Sequence, residues 1–366
     1  MNEKNKVRVC FPFVGDSIGG SHLSSIELIK ALDKSKFDIK LLVHKKGVLS
    51  KHLVSEGIKP IFLEIKNFVG QKKGIIINFL NILINIFRLT SFINKNNIDI
   101  IHLNDASAGL TWVIPSKLSK AKIVWHQRVV FPNWMLYKIL SFFSEKIVCI
   151  SDFVYKSLPN FNKKKSEKIF NPVSINKTKK NILQNKDLKN KKIKKILFLA
   201  NIIETKRVDL FIKIAHPISK ILPNSKFFIV GSDKKKILSS NLSKSIIYVG
   251  YSKYKEQWLK NCDLLIVTSE NEGFNRTIVE GMLSKIPVIA VDSGAHKEII
   301  KDKFNGWLVE KNNLNELINV SIKILGLKKN NLKKTIERAE KYAKEKFNVQ
   351  KHASYISKIY LNLTKL

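Results

Sequence analysis

Residues 269–290 read SENEGFNRTIVEGMLSKIPVIA. The stretch opens on the end of an apolar run, DLLIVTS (263–269), that has the length and composition of a strand. A short loop follows, carrying Glu272 beside Gly273. NRTIVEGMLSK then has helical spacing, with Asn275 as its N-cap and Glu280 about one and a half turns in. IPVIAVDSG (286–294) closes the stretch as a second strand, so the whole is one β/α unit of a parallel sheet. Glu272 is thereby set at the carboxyl end of a strand, where such sheets bind ligands. The helix start between the two glutamates favours an anion. Carboxylates accept hydrogen bonds from hydroxyls, often two at once. A ligand with phosphate in its middle and hydroxyls at both ends satisfies all three features, and a nucleotide sugar has that shape. On spacing alone, an acid near a helix start plus a surface glutamate reads equally well.

The same alternation extends in both directions. Strands are expected at KVRVCFPF, FDIKLLVH, KPIFLEI, IDIIHLN, KIVWH, KIVCIS and KIFNPV in the first half, and at KKILFLAN, KFFIVGS and IIYVGY in the second. Helical patterns lie between them: SHLSSIELIKAL, residues 75–93, and SDFVYKSL capped by Ser151 or Asp152. Residues 176–195 break the pattern with nine lysines against Asp187, which reads as a solvated linker. Pro217 predicts a kink or break in the helix that follows residue 205. The expected organisation is a domain over 1–172, a linker over 173–194, a second domain over 195–345, and a terminal helix over 346–366. Two doubly wound α/β halves of this kind face each other across a cleft.

Charge is the unusual bulk property. The 366 residues carry a formal net charge of +37. Sixty lysines stand against six arginines: Arg8, Arg88, Arg128, Arg207, Arg276 and Arg338. Nucleic-acid readers use arginine for bidentate contacts, so no nucleic-acid partner is expected. Two explanations remain: the Lys, Asn and Ile richness of AT-rich coding, or attraction to an anionic surface such as a membrane leaflet or a phosphorylated substrate. Cys10, Cys149 and Cys262 each lie in or beside an apolar run and read as buried thiols in a reducing compartment. The start, MNEKNKVRVCFPF, is too short in apolar residues for a signal peptide. IIINFLNILINIFRLTSFI (75–93) is the one stretch that imitates a membrane span. Asn78, Asn81, Asn85 and Arg88 recur on one face, which favours a half-buried helix against a sheet and leaves an interfacial helix open.

A glycine turn, GDSIGGSH, joins the first strand to its helix. Gly15, Gly19 and Gly20 let the backbone approach a ligand, and the helix start offers free N–H groups to phosphate. The spacing is not Gly-x-Gly-x-x-Gly, and a plain turn accounts for it as well.

SENEGFNRTIVEGMLSKIPVIAVDSGAHKEIIKDKFNGWLVE resembles the signature region of the retaining family 4 glycosyltransferases, glycosyl transferases group 1. Glu272, Gly273, Phe274, Glu280, Pro287, Val288, Ile289, Gly294, Glu298, Ile299, Asn305, Gly306, Leu308 and Val309 fall in register with it. The resemblance implies the GT-B fold, with two Rossmann-like doubly wound domains. It implies that Glu280 holds the ribose hydroxyls, while Glu272 with Gly273, Phe274 and Asn275 holds the donor hexose and the β-phosphate. Gly19 and Gly20 match the donor-side glycine loop. FLANIIETKRVDLFIKIA matches the opening of the second domain, where Lys206 stands for a diphosphate-binding lysine and Asn201 for the usual arginine. A neutral amide does not replace a guanidinium fork, so Arg207 or Arg276 is expected to supply charge. His126, just after a strand, matches a histidine near the donor sugar and the reaction centre, and is taken with Glu272 as the catalytic pair. His22 and His102 rank below it; Asn104 and Asp105 are candidates for the acceptor. The terminal helix packs back on the first domain in the family.

No Asp-x-Asp pair and no Cys/His cluster of zinc spacing occurs in the chain. No metal and no cofactor are therefore expected, the nucleotide-diphosphate sugar being a co-substrate. The function implied is transfer of a hexose-type sugar to an acceptor hydroxyl with retention. The acceptor would be a glycan or a lipid-linked glycan of the cell envelope, reached by a cytoplasmic enzyme that docks on an anionic inner leaflet. The alternatives are a sugar-nucleotide epimerase or phosphorylase on the same fold, and a basic nucleic-acid-binding protein, which explains the charge and nothing else.

Overall fold

The computed structural model describes residues 6–65, 75–104, 106–131, 135–175, 186–238 and 242–364. Two compact units emerge: residues 1–172 with 349–366, and residues 173–348.

The first unit is built on β1 (Val7–Phe13), β2 (Phe37–Val43), β3 (Ile61–Phe62), β4 (Ile100–Leu103), β5 (Lys122–Gln127), β6 (Lys146–Cys149) and β7 (Ser166–Lys168). All pair in parallel, in the order β3-β2-β1-β4-β5-β6-β7. The order reverses direction between β1 and β4, which makes the carboxyl ends of those two strands the place for a ligand. The connecting helices are α1 (Gly20–Ala31), α2 (Val48–Ser55), α3 (Ile75–Lys95), α4 (Ala106–Leu118), α5 (Met135–Phe143), α6 (Asp152–Lys156) and α7 (Asn160–Lys163). VRVCFPF becomes the central strand because nearly all its side chains can be buried, as a sheet covered on both faces requires. The last helix, α15 (Val349–Thr364), closes this unit against α1 and β1. It buries Ala353, Ile356, Ile359 and Tyr360 in the core, the Tyr360 ring meeting Phe37 edge-on at 5.6 Å. Each of the larger side chains contributes about 2 kcal/mol on burial.

The second unit holds α8 (Lys186–Lys189), β8 (Lys194–Leu199), α9 (Val208–Ile221), β9 (Ser225–Val230), β10 (Ile246–Gly250), α10 (Lys255–Asn261), β11 (Leu264–Val267), α11 (Arg276–Leu283), β12 (Val288–Val291), α12 (His296–Ile299), β13 (Trp307–Val309), α13 (Leu314–Gly326) and α14 (Lys329–Lys346). Its parallel sheet runs β10-β9-β8-β11-β12-β13, and its reversal lies between β8 and β11.

Several expectations need correction. KIFNPV is not a strand: the edge strand β7 is Ser166–Lys168 and ends where that run begins. Pro217 does not break α9, which continues to Ile221. Its missing N–H removes one helix bond, at a cost of about 3 kcal/mol. Burial of Phe211, Ile214, Ala215 and Ile218 on the sheet offsets that cost. In the lysine-rich segment, residues 176–185 lie outside the described residues, while Lys186–Lys189 form a helical turn that buries Leu188. The polar face foreseen on α3 is divided: Asn85 turns inward with Leu89 and Ile93, whereas Phe87 and Arg88 turn outward. The side chains of Asn78 and Asn81 lie outside the described residues. All three cysteines are buried free thiols, and burial raises Cys149 to about 12.

Candidate functional site

In the second unit, the chain leaving β8 passes Asn201, which is exposed, and enters a single 3-10 turn, Glu204–Lys206. Arg207 ends that turn with φ at 50°, so the chain reverses into α9. Two hydrogen bonds tie this turn to the chain leaving β11: Thr268 Oγ1 donates to the Lys206 carbonyl at 2.8 Å, and the Glu270 N–H donates to the Thr205 carbonyl at 2.9 Å. Lys206 is thereby aimed at Glu272, its Nζ 2.5 Å from Oε1. Asn271 holds φ at 55°, and its N–H donates to Ser293 Oγ at 2.9 Å. The Ala295 N–H donates to the Glu272 carbonyl at 2.9 Å. Gly294 sits between these contacts with φ at 60°, and a Cβ there would lie 2.5 Å from the Glu272 carbonyl oxygen. That is an overlap with backbone, so only glycine permits this loop to grip Glu272 so closely.

Asn275 caps α11. Its Oδ1 accepts from the N–H groups of Thr277 at 3.1 Å and Ile278 at 3.4 Å, and its Nδ2 contacts Ser269 Oγ at 2.8 Å and His296 Nε2 at 3.1 Å. Glu280 is buried within the fifth residue of that helix, far from the solvated surface glutamate its sequence position also allowed. Lys255 of α10 reaches its Oε1 at 2.7 Å, and Arg276 lies 3.5 Å from the same oxygen. A buried carboxylate needs such partners, since an uncompensated charge there costs several kcal/mol. A recess opens among Leu199, Ala200, Lys206, Thr268, Asn275 and Thr277, at the carboxyl ends of β8 and β11. Lys206, with Glu272 paired to it, and Asn275 therefore lie at the start of α11, while Glu280 lies about one turn into that helix. The Phe274 ring is turned into the core against Phe347, centroids 5.4 Å apart. Arg207 is committed to Asp209, at 3.0 Å, and to Glu270.

The other expected residues lie in the first unit. Gly19 caps α1, with its N–H donating to His22 Nδ1 at 3.1 Å, and Gly20 opens the helix. Asp105 lies outside the described residues. His126, on β5, is fully buried in a polar network beneath α1 and α15. The Arg128 Nη2 lies 3.3 Å from His126 Nδ1. A guanidinium only donates, so that nitrogen is the acceptor and the proton of the neutral ring sits on Nε2. His102 Nε2, 3.3 Å from the same Nδ1, must then donate, and His102 Nδ1 accepts from the Tyr360 hydroxyl at 2.6 Å. The chain of donors runs Tyr360 to His102 to His126 and ends on the His126 Nε2 hydrogen, a buried donor with no partner among the described residues. Burial, with the Arg128 charge second, holds both imidazoles well below the usual histidine range, so they remain neutral. His352 stacks on His126 with centroids 5.7 Å apart and donates from Nδ1 to the Phe170 carbonyl, 2.8 Å away. Arg128 also reaches Asn104 Oδ1 at 2.7 Å, Ser25 Oγ at 3.1 Å, and Asn171.

Comparison with known proteins decides the family. Residues 179–346 match the family model described as glycosyl transferases group 1, and residues 18–177 match the one described as glycosyltransferase family 4. The chain belongs to glycosyltransferase family 4. It is similar to an uncharacterized glycosyltransferase of Methanocaldococcus jannaschii, 29% identical across 95% of both chains. It is also similar to an Escherichia coli UDP-Gal:α-D-GlcNAc-diphosphoundecaprenol α-1,3-galactosyltransferase, 23% identical across 98% of both. Among solved structures, HepE of Anabaena, crystallised with UDP and glucose, superposes with a TM-score of 0.81 over 98% of this chain and 100% of its own, at 17% identity. The fold of this family 4 glycosyltransferase is GT-B.

Sequence reading of the glycosyltransferase missed Lys255, Ser269 and Thr277 in the second unit, and Arg128, His352 and Tyr360 in the first. Lys255 is one lysine among sixty. Tyr360 meets His102 across 258 positions, so no local pattern carries that pairing.

Proposed function

We propose that this glycosyltransferase moves a hexose-type sugar from a nucleotide diphosphate to an acceptor hydroxyl, with retention at the anomeric carbon and without a metal ion. The carrying observation is the paired Lys206–Glu272 and Lys255–Glu280 contacts around the start of α11. Glu280 accepts hydrogen bonds from the ribose hydroxyls and Glu272 from the hexose. The diphosphate lies over the N-terminus of α11, with the Lys206 ammonium neutralising the charge that develops on the leaving group. Asn201 supplies no guanidinium, Arg207 is committed to Asp209 and Glu270, and Arg276 faces Glu280, so Lys206 carries the stabilisation. His126, neutral and protonated on Nε2, serves as a hydrogen-bond donor to a sugar oxygen rather than as a base. The acceptor class is a glycan or lipid-linked glycan of the cell envelope. Support for it comes from the E. coli relative, whose name gives a diphosphoundecaprenol-linked acceptor and whose length this chain matches at 98%.

The test is thermal unfolding with a panel of nucleotide sugars in EDTA, for wild type and Glu280→Gln. One nucleotide sugar should stabilise wild type, and the amide variant should bind it at least about tenfold more weakly, since hydrogen bonds to a charged acceptor are worth about 1.5 kcal/mol or more. Equal stabilisation of both proteins would remove Glu280 from the donor site. Turnover in EDTA equal to turnover in added magnesium is the expected companion result. Strict dependence on a divalent cation would overturn the lysine-based mechanism.

A further inference from the structure

We infer that Glu272 makes the donor site selective for a nucleotide sugar over the nucleoside diphosphate left after transfer, by holding Lys206 until hexose hydroxyls take its place. This selectivity rests on the proposed placing of the diphosphate at Lys206 and of the hexose at Glu272.

Both side chains stand on fixed backbone. Lys206 closes the 3-10 turn, and its carbonyl accepts from Thr268 Oγ1 at 2.8 Å, which pins the root of the lysine to the chain leaving β11. The Glu272 carbonyl is held by the Ala295 N–H at 2.9 Å. From these anchors Nζ meets Oε1 at 2.5 Å, with the two side chains only 23% and 19% exposed. The neighbouring charges do not compete for either partner. Glu270 takes Arg207 and, at 3.1 Å, Lys311. Glu280 takes Lys255 at 2.7 Å, with Arg276 at 3.5 Å. Among the described residues, Lys206 is the one charged side chain that lines the recess, and Glu272 holds it.

A diphosphate entering this recess meets a neutral ion pair rather than a free ammonium. It gains Lys206 only by drawing it off Glu272, and a shielded carboxylate left without its partner is costly. A hexose removes that cost, because its hydroxyls donate to Glu272 as the ammonium withdraws. Sugar and diphosphate are therefore coupled through one ion pair, and each favours the binding of the other. Once the hexose has moved to the acceptor, those hydroxyls are gone, and Glu272 draws Lys206 back from the diphosphate. The pair thus weakens the product, which shares both phosphates with the donor, without weakening the donor itself. An ammonium also has three N–H groups. If Lys206 bridged Glu272 and a phosphate through separate ones, Glu272 would be neutral toward the diphosphate, and titration tells the two arrangements apart.

The experiment is isothermal titration calorimetry in EDTA with UDP, ADP and GDP and with UDP-glucose, ADP-glucose and GDP-mannose, carried to the variants with the nucleotide that wild type binds. Glu272→Gln should tighten the nucleoside diphosphate at least about fivefold, the scale of a partly buried ion pair, and should not tighten the nucleotide sugar. Glu272→Asp keeps the charge but draws it back by one methylene, and should tighten the diphosphate at least about twofold. Lys206→Met should weaken the diphosphate at least about tenfold, and adding Glu272→Gln to it should bring no gain. Four results would overturn the selectivity: wild-type diphosphate affinity in both Glu272 variants, an equal gain for the nucleotide sugar, a gain that persists without Lys206, or no binding of any of these ligands by wild type. The third would mean that Glu272 repels phosphate through its field and not by holding the lysine. Wild-type diphosphate affinity in Lys206→Met would remove the diphosphate from Lys206, and the proposed donor site would fail with the selectivity. Loss in Lys206→Met with no gain in either Glu272 variant would sink the selectivity alone and leave that site standing. Both side chains keep some contact with water, so the fold should survive, and the unfolding transition of each variant checks it.

Discussion

Tyr360 shows how much a single hydroxyl can set at a distance. Its proton goes to His102 Nδ1, and that choice fixes which nitrogen of His102 faces His126. Removing it by Tyr360→Phe leaves a buried imidazole nitrogen without a donor, which costs about 1–3 kcal/mol. It also frees both rings to exchange tautomers. Nitrogen-15 shifts of the His126 ring should then move from a single Nε2-protonated form to a mixture, and kcat should fall while nucleotide-sugar affinity stays within about twofold. A variant that loses stability alone, with the ring shifts and kcat of wild type, would make the network purely structural. At this scale, the glutamates were legible because their neighbours form a dense local signature. The histidine chain was only half legible. His126, which lies within β5, could be singled out by its match to a family histidine, but its partners come from α15 and from β4, and sequence spacing does not bring those elements together.

The element that concentrates the donor-side chemistry is α11. It is eight residues long and short on intrinsic stability, so its start depends on Asn275. That side chain satisfies two helix N–H groups and holds Ser269 and His296 as well. Asn275→Ala should therefore cost about 2 kcal/mol, more than the roughly 1 kcal/mol of an ordinary cap. It should also weaken nucleotide binding, because the N–H groups offered to phosphate lose their orientation. Asn275→Asp retains the acceptor but brings a negative charge toward the diphosphate. It also loses the amide donor to Ser269 and His296, so it should cost stability as the alanine does but lose more nucleotide affinity than alanine, which denaturant unfolding and ligand-induced thermal shifts separate. Equal affinity in wild type and Asn275→Asp would place the diphosphate away from this helix start. Elements were legible where period and composition agreed, as in β8, β9, β11 and β12. They were missed where the two conflicted. α4 has no polar face to betray a helix, since Trp112, Val113 and Ser116 are buried and Ile114 is exposed, and Pro115 sits inside it. β7, SEK, is too polar and too short to signal a strand, and edge strands are tolerated in that form.

Across the whole molecule, the histidines tie stability to pH. His44 is held neutral by geometry: Nδ1 bonds the Leu63 carbonyl at 2.8 Å and Nε2 accepts from the Trp112 indole at 2.9 Å, so a second ring proton would face an N–H group. Burial pushes His44 down to about 4 and His352 to about 3, and lowers His102, His126 and His296 as well. In the unfolded chain all five return to about 6.5. The sign follows directly. Below about 6.5 the unfolded chain binds protons that the folded chain does not, so stability is complete above that value and is lost as pH falls. A histidine kept neutral in the fold contributes about 1.4 kcal/mol per pH unit well below 6.5, so His44 and His352 alone remove a large share of a total stability of about 5–15 kcal/mol, and the other three act in the same direction. Acid unfolding should therefore begin near pH 6 and complete within about two units, before carboxylates titrate in bulk. High positive charge adds self-repulsion in the same direction, as the net charge of +37 rises further with each proton taken up. The two contributions separate in salt. Repulsion between exposed charges is screened at 1 M ionic strength, whereas the cost of protonating a buried ring is not. A urea-unfolding series in 1 M salt should keep most of the slope between about pH 6 and pH 4. A stability flat across that range would mean the five rings accept protons in the folded state, and the neutral donor chain ending at His126 would fail with it.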